Sequence, residues 1–369
     1  MKVSFNRAAL SEALGLVVSV VPSRTPKPIL RCVRIVGLEK GAMICATNLE
    51  VGLSCSISQV EVEQQGEVVV EAERLLAIVR ESTDDVLVLS VADSSCEIRG
   101  ADSLFTLYTQ DPKQYPKVPS FETGDAELEV ALDVLQGGIA QCLFATAKES
   151  SRYAINGVLW EVKGKKMLLV ATDGRRLARC RIDLRAAPSE SAAQHKMIVP
   201  ARTMSLLEKI AAHDKDVVAV KLVDNQVLLA CGDVLISSNL VEGNFPKYED
   251  IIPKDYDKKI ALPTAPTLSA VRRAALLTSE ESKGVKLAIT RDSLVFSCSS
   301  PEMGAAEINM PITYKGEPIE IGFNPQFLVD ALRVIQAPEF ELELGQADRP
   351  GVLKSGADFL YVLMPINLG

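Results

Sequence analysis

"MICATNLEVGLSCSI" (residues 43–57) and "LLVATDGRRLARCRI" (residues 168–182) read as one stretch written twice. Ala46 and Ala171, Thr47 and Thr172, Cys55 and Cys180, and Ile57 and Ile182 coincide at a constant offset of 125. Asn48 faces Asp173, and both residue types start turns. In the second copy an Asp lies beside a Thr and two Arg, so it could be an acid with chemistry to perform. The competing reading is a hairpin in which Asp173-Gly174 reverses two strands through positive φ. A third copy, "FSCSSPEMGAAEINM" (296–310), keeps only the Glu and Gly spacing of "LEVG".

Outward from these turns, the order of elements repeats as well. Each third begins with a helix-period segment. Leu10, Ala13, Leu14, Val17, Val18 and Val21 mark the first, Leu135, Ile139, Cys142 and Leu143 the second, and Leu268, Val271 and Ala275 the third. Strands with short turns follow, as in "RCVRIVGLEKGAMICATN" and "GVLWEVKGKKMLLVAT". A strand then runs into a second helix: "GEVVVEAERLLAIVRES", "HKMIVPARTMSLLEKIAA" and "IEIGFNPQFLVDALRVIQ". In the last of these, Leu328, Ala331, Leu332 and Ile335 form an apolar stripe. A strand pair closes each third. A period near 125 residues is too long for a solenoid repeat. It predicts three complete α+β domains, 1–125, 126–255 and 256–369, divided in the polar, Pro-bearing stretches "DPKQYPKVPSFETGDAE" and "NFPKYEDIIPKDYDKK".

Composition narrows the function. The 369 residues are 47% hydrophobic and 24% charged, as in ordinary globular proteins. No run approaches a membrane span and the N-terminus has no apolar signal region, so a cytoplasmic location is expected. Eight cysteines never come closer than ten positions, without a C-x-x-C, and read as buried reduced thiols. His195 and His213 are the only histidines, which leaves little for a His-based triad or metal site. The net charge of −8 argues against a protein that grips nucleic acid through a general basic surface, but not against positive charge confined to one face.

Four motifs in order, "RYAINGVLWE…LLVATDGRRLA", "LVEGNFPKYEDIIP", "IEIGFNPQFLVDAL" and "YVLMPINL", make the whole chain resemble the bacterial sliding clamps, the beta subunits of DNA polymerase III. The resemblance implies three tandem copies of one clamp-type domain, with helices on one face and antiparallel sheets on the other. It further implies a head-to-tail homodimeric ring that encircles double-stranded DNA and has no catalytic activity, cofactor or metal. Such a ring confers processivity in DNA replication and tethers the replicative polymerase, the clamp loader and repair proteins by short peptide motifs. A ring held by topology needs only sparse positive charge inside, which reconciles a net −8 with DNA.

Carried over to this sequence, the resemblance points to Arg24, Arg152 and Tyr153 for DNA; Lys148 and Arg202 are added from charge and placement. For the partner-peptide pocket between domains 2 and 3 it points to Ile155, Thr172, Gly174, Arg175, Arg176, Leu177, Pro246, Ile251, Asn324, Phe327, Val362, Met364, Pro365 and Ile366. Leu177, Val362 and Met364 would form its floor and Arg176 its polar edge, although their alternation also suits core strand residues. Asp250, Ser282 and Asn367 depart from the family pattern at the rim. For the dimer interface the matching positions are Ile78, Phe105 and Leu107 on domain 1 and Leu276 and Leu277 on domain 3. Two other readings remain: a divalent-metal-dependent hydrolase or phosphoryl-transfer enzyme using Asp173, Asp84 and Asp85, and a plain α+β scaffold.

Overall fold

The computed structural model describes residues 1–121, 126–148, 153–190, 192–211, 216–278 and 284–367. The first repeat runs β1 (Lys2–Asn6), α1 (Arg7–Val18), β2 (Cys32–Leu38), β3 (Gly41–Thr47), β4 (Val51–Ile57), β5 (Val60–Gln64), β6 (Gly66–Glu71), α2 (Ala72–Glu81), β7 (Val86–Ala92), β8 (Ser95–Arg99) and β9 (Leu104–Tyr108). The second runs β10 (Leu128–Ala131), α3 (Leu132–Cys142), β11 (Gly157–Lys163), β12 (Lys166–Thr172), β13 (Arg176–Asp183), β14 (Lys196–Pro200), α4 (Ala201–Leu207), β15 (Val217–Val223), β16 (Gln226–Cys231) and β17 (Val234–Asn239). The third runs β18 (Lys258–Pro263), α5 (Thr264–Ala275), β19 (Val285–Ile289), β20 (Ser293–Ser300), β21 (Gly304–Pro311), β22 (Ile319–Phe323), α6 (Pro325–Val334), β23 (Glu339–Leu344), β24 (Gly351–Ser355) and β25 (Phe359–Leu363). Three tandem α+β modules of one plan are therefore present.

Two details differ from the sequence reading. A short strand precedes the first helix of each repeat, and three strands close it where a pair was expected. The opening strands span only four to six residues, too few for their alternation to stand out beside a helical stripe. In α5 the buried positions are Thr264, Thr267, Ala270, Val271 and Ala274. Two buried threonines, one of which returns its hydroxyl to the Pro263 carbonyl at 2.7 Å, shift the stripe off Leu268 and Ala275.

Local chemistry fixes the strand-to-helix joints. Asn6 accepts from the Ala9 amide at 3.0 Å and Asn324 from the Gln326 amide at 2.9 Å, so both cap a helix that starts directly from a strand. The strands form four sheets, of five strands (β5-β1-β7-β8-β9), eight (β10-β15-β16-β17-β4-β3-β2-β6), eight (β14-β11-β12-β13-β25-β24-β23-β18) and four (β21-β20-β19-β22). Both long sheets cross from one repeat to another, through the antiparallel pairs β4–β17 and β13–β25. The chain accordingly divides into two compact units. Unit 1 holds Met1–Asp133, Leu184–Ala192 and Arg202–Leu240; unit 2 holds Val134–Asp183, Ala193–Ala201 and Val241–Gly369. The second repeat is shared between them.

Each unit buries its own core. Phe5, Leu10, Leu14, Ile35, Ile44, Leu53, Leu75 and Leu87 are fully buried in unit 1, and Trp160, Phe296, Phe323 and Tyr361 in unit 2. Each such side chain contributes roughly 1.5–3 kcal/mol of transfer free energy. All eight cysteines are buried and free. Among the described residues, no helix is long and apolar enough to cross a membrane.

Candidate functional site

The turn between β12 and β13 anchors the site in unit 2. Both carboxylate oxygens of Asp173 are occupied: Oδ1 accepts from the amides of Arg175 (2.9 Å) and Arg176 (3.0 Å), and Oδ2 from Arg176 Nε (3.0 Å). Thr172 Oγ1 donates to the Arg176 carbonyl (2.7 Å) and accepts from the Gly174 amide (3.1 Å). Gly174 takes φ +85°, which a side chain would resist; Asp173 itself has no positive φ. Asp173 thus builds the turn with its carboxylate.

The turn of unit 1 is the same device. Asn48 Oδ1 accepts from the amides of Glu50 (3.0 Å) and Val51 (2.7 Å), and Thr47 Oγ1 donates to the Val51 carbonyl (3.0 Å) and accepts from the Leu49 amide (3.0 Å). Leu49, at φ +80°, holds the place of Gly174.

Arg176 gathers residues from distant segments. Its guanidinium donates to Asp173, to Asp330 Oδ2 on α6 (2.7 Å) and to the Phe144 carbonyl (2.6 Å), and lies 4.3 Å from the centroid of the Phe327 ring. Burial would lower its pKa, but the bonds to Asp330, Tyr361 and Asp173 outweigh that and raise it. Tyr361 returns its hydroxyl to the Phe327 carbonyl at 3.1 Å. Neither Asp330 nor Phe144 was anticipated. No local pattern marks them, because their roles come from packing against a residue over thirty positions away.

The ladder β13–β25 pairs Leu177 with Val362, and both are 1% exposed. They belong to a cluster with Ala154, Leu159, Val170, Ile198, Tyr248, Val352 and Leu360, flanked by Phe245 and Ile252. Met364 extends this ladder, its amide donating to the Arg175 carbonyl at 2.9 Å, yet its side chain is 42% exposed. Ile251 is 38% exposed. Ile251 and Met364 line one cavity of about 980 Å³. Pro365 and Ile366 line another, of about 520 Å³, where the Ile366 amide donates to the Gly322 carbonyl at 2.9 Å. Ile155 is buried, Pro246 half-buried, Arg175 exposed, and the side chain of Asn324 is taken by its cap. Thr172, Gly174, Arg175, Arg176, Leu177, Val362 and Met364 therefore share one hairpin and its neighbouring strand, with Phe327 joined through Arg176.

Two buried carboxylates escaped the sequence reading. Glu161 bonds Lys196 (2.7 Å), Lys163 (3.2 Å) and the Tyr248 hydroxyl (2.8 Å). Glu343 bonds Lys354 (2.6 Å) and Lys259 (2.8 Å). Burial pushes each pKa up, but the donors outweigh it and hold both below the usual glutamate value. In "LWEVK" and "FELEL" they pass for ordinary outward-facing strand positions.

Of the DNA positions, Arg24, Lys148 and Tyr153 are exposed, and Arg152 lies outside the described residues, as does Ser282 at the rim. Arg202 is also exposed, but its guanidinium donates to the carbonyls of Val20 (2.8 Å) and Ser19 (3.3 Å) just past the end of α1. A cation there complements the helix dipole. Of the dimer positions, Phe105 is 41% and Leu276 72% exposed, while Ile78, Leu107 and Leu277 are half-buried. Asp84 and Asp85 receive Arg7 through their carbonyls, at 2.9 Å from its side chain and 2.8 Å from its amide. No group of three or more His, Cys, Asp or Glu suited to a metal ion occurs among the described residues.

Models of the DNA polymerase III beta subunit match in order: the N-terminal domain over residues 1–119, the central domain over 129–247 and the C-terminal domain over 249–367. A beta sliding clamp of Pseudomonas putida is 31% identical, with both chains covered in full. The crystal structure of the Bacillus subtilis DNA polymerase sliding clamp superposes with a TM-score of 0.94 at 28% identity, covering 100% of this chain and 99% of that one. A Pseudomonas aeruginosa sliding clamp bound to griselimycin gives 0.93 at 30% identity, with full coverage of both. These likenesses run to replication clamps, and the hydrolase reading gains nothing from them.

Proposed function

The chain belongs to the DNA polymerase III beta subunit family, and from that premise we propose that two copies close head to tail into a ring around duplex DNA. The observation that carries the ring is a pairing made twice and left open once. β4 pairs with β17 and β13 with β25, each joining the third strand after a first helix to the closing strand of another repeat. Their counterparts β21 and β9 have only β20 and β8 as neighbours among the described residues. β9 exposes Leu104 (49%), Phe105 (41%) and Tyr108 (86%), an apolar edge that invites a further strand. Joining β9 of one copy to β21 of the next would make that pairing a third time, and a heterologous contact of this kind closes after two copies if its rotation allows.

In this reading the ring is a processivity factor without chemistry of its own and works in the cytoplasm. Its modules are 1–125, 126–255 and 256–369. Arg24, Lys148, Arg152, Tyr153 and Arg202 serve the DNA, and Ile78, Phe105, Leu107, Leu276 and Leu277 the subunit contact. Polymerase, clamp loader and repair proteins dock by short peptides around Met364, Ile251 and the Arg176 turn. Purified protein should sediment at about twice 39.9 kDa. Loaded onto nicked circular DNA, it should stay bound until the DNA is linearised and then run off the ends. A monomer at every concentration, or retention on linear DNA, would overturn the ring.

A further inference from the structure

Glu161 is a carboxylate set on the sheet face that carries the apolar cluster around Leu177. It stands two residues beyond Leu159 on β11, and the register Leu159↔Val170↔Arg179 carries that face across β12 to β13, where Leu177 lies two residues from Arg179. Glu161 therefore shares a face with Leu177 and Val362, and it is 3% exposed. Lys196 and Lys163 reach it from solvent, their side chains 60% and 57% exposed, whereas the Tyr248 hydroxyl reaches it from the linker. Tyr248 is itself buried in the Leu177 cluster. Between Phe245 and Asp257 its hydroxyl makes the hydrogen bond that ties the linker to the sheet, among the described residues. The Ile251 amide donates to the Tyr248 carbonyl at 3.1 Å, so Ile251 stands one turn from that anchor and lines the same cavity as Met364.

The preceding linker supplies the contrast. Tyr115 is also buried, but its hydroxyl donates to the backbone carbonyls of Cys32 (3.0 Å) and Cys45 (3.5 Å). The counterpart of Glu161 at a shift of 125 is Val36, whose partner Met43 likewise matches Leu168. A linker tyrosine can thus be seated without an acid. A carboxylate taken out of water is costly unless its donors are all in place. It occurs here under the linker that carries the exposed Ile251.

We propose that Glu161 is a positioning residue for peptide docking: through the Tyr248 hydroxyl it fixes the turn that presents Ile251 beside Met364. The inference rests on the reading that partner peptides dock in this unit. It deepens that reading by naming what holds one wall of the site.

A fluorescent synthetic nonapeptide with Leu and Phe anchors, titrated by anisotropy, tests it together with amide exchange. Tyr248→Phe keeps the ring and removes only the donor; it should weaken peptide binding about tenfold, close to one hydrogen bond to a charged group. Glu161→Leu should match it, and Glu161→Gln, which keeps an acceptor oxygen, should recover most of the affinity. Tyr115→Phe, the same deletion in the other linker, should leave binding unchanged. Exchange at the Ile251 amide should quicken about tenfold in Tyr248→Phe, while the Leu177 and Val362 amides keep their protection. Ile251→Ala should weaken the wild-type complex but add little in the Tyr248→Phe background, since both act on one contact. Unchanged affinity in Tyr248→Phe, an equal loss in Tyr115→Phe, or additive losses with Ile251→Ala would overturn the positioning role and leave peptide docking intact. Failure of the wild-type protein to bind the peptide overturns the docking reading and this inference with it.

Discussion

The seam β4–β17 and the seam β13–β25 are one piece of backbone used twice. Val51↔Ser238, Gly52↔Ser237 and Leu53↔Ile236 in the first correspond at a shift of 125 to Arg176↔Leu363, Leu177↔Val362 and Ala178↔Tyr361 in the second. Even the turns leading into them share their bonds. The side chains do not match. At the first seam a Cβ on Gly52 would lie 2.6 Å from Ser237 Oγ and 3.0 Å from Val118 Cγ1, so the glycine lets the linker settle onto the strands. At the second the same pair is Leu177 and Val362 within a nine-member apolar cluster, with Met364 and Ile251 exposed at its margin. Backbone pairing makes the architecture, and the side chains set on it close one seam over a glycine and leave apolar groups exposed at the margin of the other.

That contrast can be broken by substitution. The largest effect is expected at Arg176, whose removal strands the Asp330 carboxylate. Arg176→Ala should cost about 3–4 kcal/mol against about 2 kcal/mol for Val51→Ala at the equivalent place, read from urea unfolding. Equal losses would mean that the ion-pair hub adds nothing beyond burial. Next, Leu177→Ala should cost about 3 kcal/mol by leaving a cavity and should weaken peptide binding, whereas Gly52→Ala should cost about 1–2 kcal/mol by overpacking. A silent Gly52→Ala would show that the first seam is not closed by size. The smallest effect belongs to Asp173→Asn, which copies the other seam's own turn residue. It keeps the bonds to the amides but loses the charge and the Oδ2 that accepts from Arg176 Nε, so about 1 kcal/mol should go, with sedimentation unchanged; loss of assembly would return Asp173 to the list of functional acids.

Much of this was legible in the sequence because repetition is local. Thr47 and Thr172, or Cys55 and Cys180, fall in register on the page as they do in the strands. α6 announced itself by stripe, with Leu328, Ala331, Leu332 and Ile335 buried as read, whereas α5 hid part of its buried face in Thr264 and Thr267. The third copy of the turn was faint for a physical reason. β21 has no strand paired on its outer edge among the described residues, and its pattern is mostly exposed, so the apolar signature that marks β4 and β13 is missing. The hub around Arg176 was half visible: the turn can be read from Thr172 to Leu177, but Asp330 and Phe144 enter only once the chain has folded. Lengths also misled, since short opening strands leave no period to detect.

Cys55 and Cys180 occupy the same place on the two seams, opposite Val234 and Phe359. Burial, reinforced by Asp233 and Glu12 for the first and by Asp358 for the second, pushes each thiol up to about 12. At neutral pH neither sulfur presents an appreciable nucleophile while its ladder is intact. Alkylation at either position therefore waits for the strands to part, and its rate counts how often they do. The molecule carries a chemical clock on each of its two internal joints, set by thiols at equivalent positions.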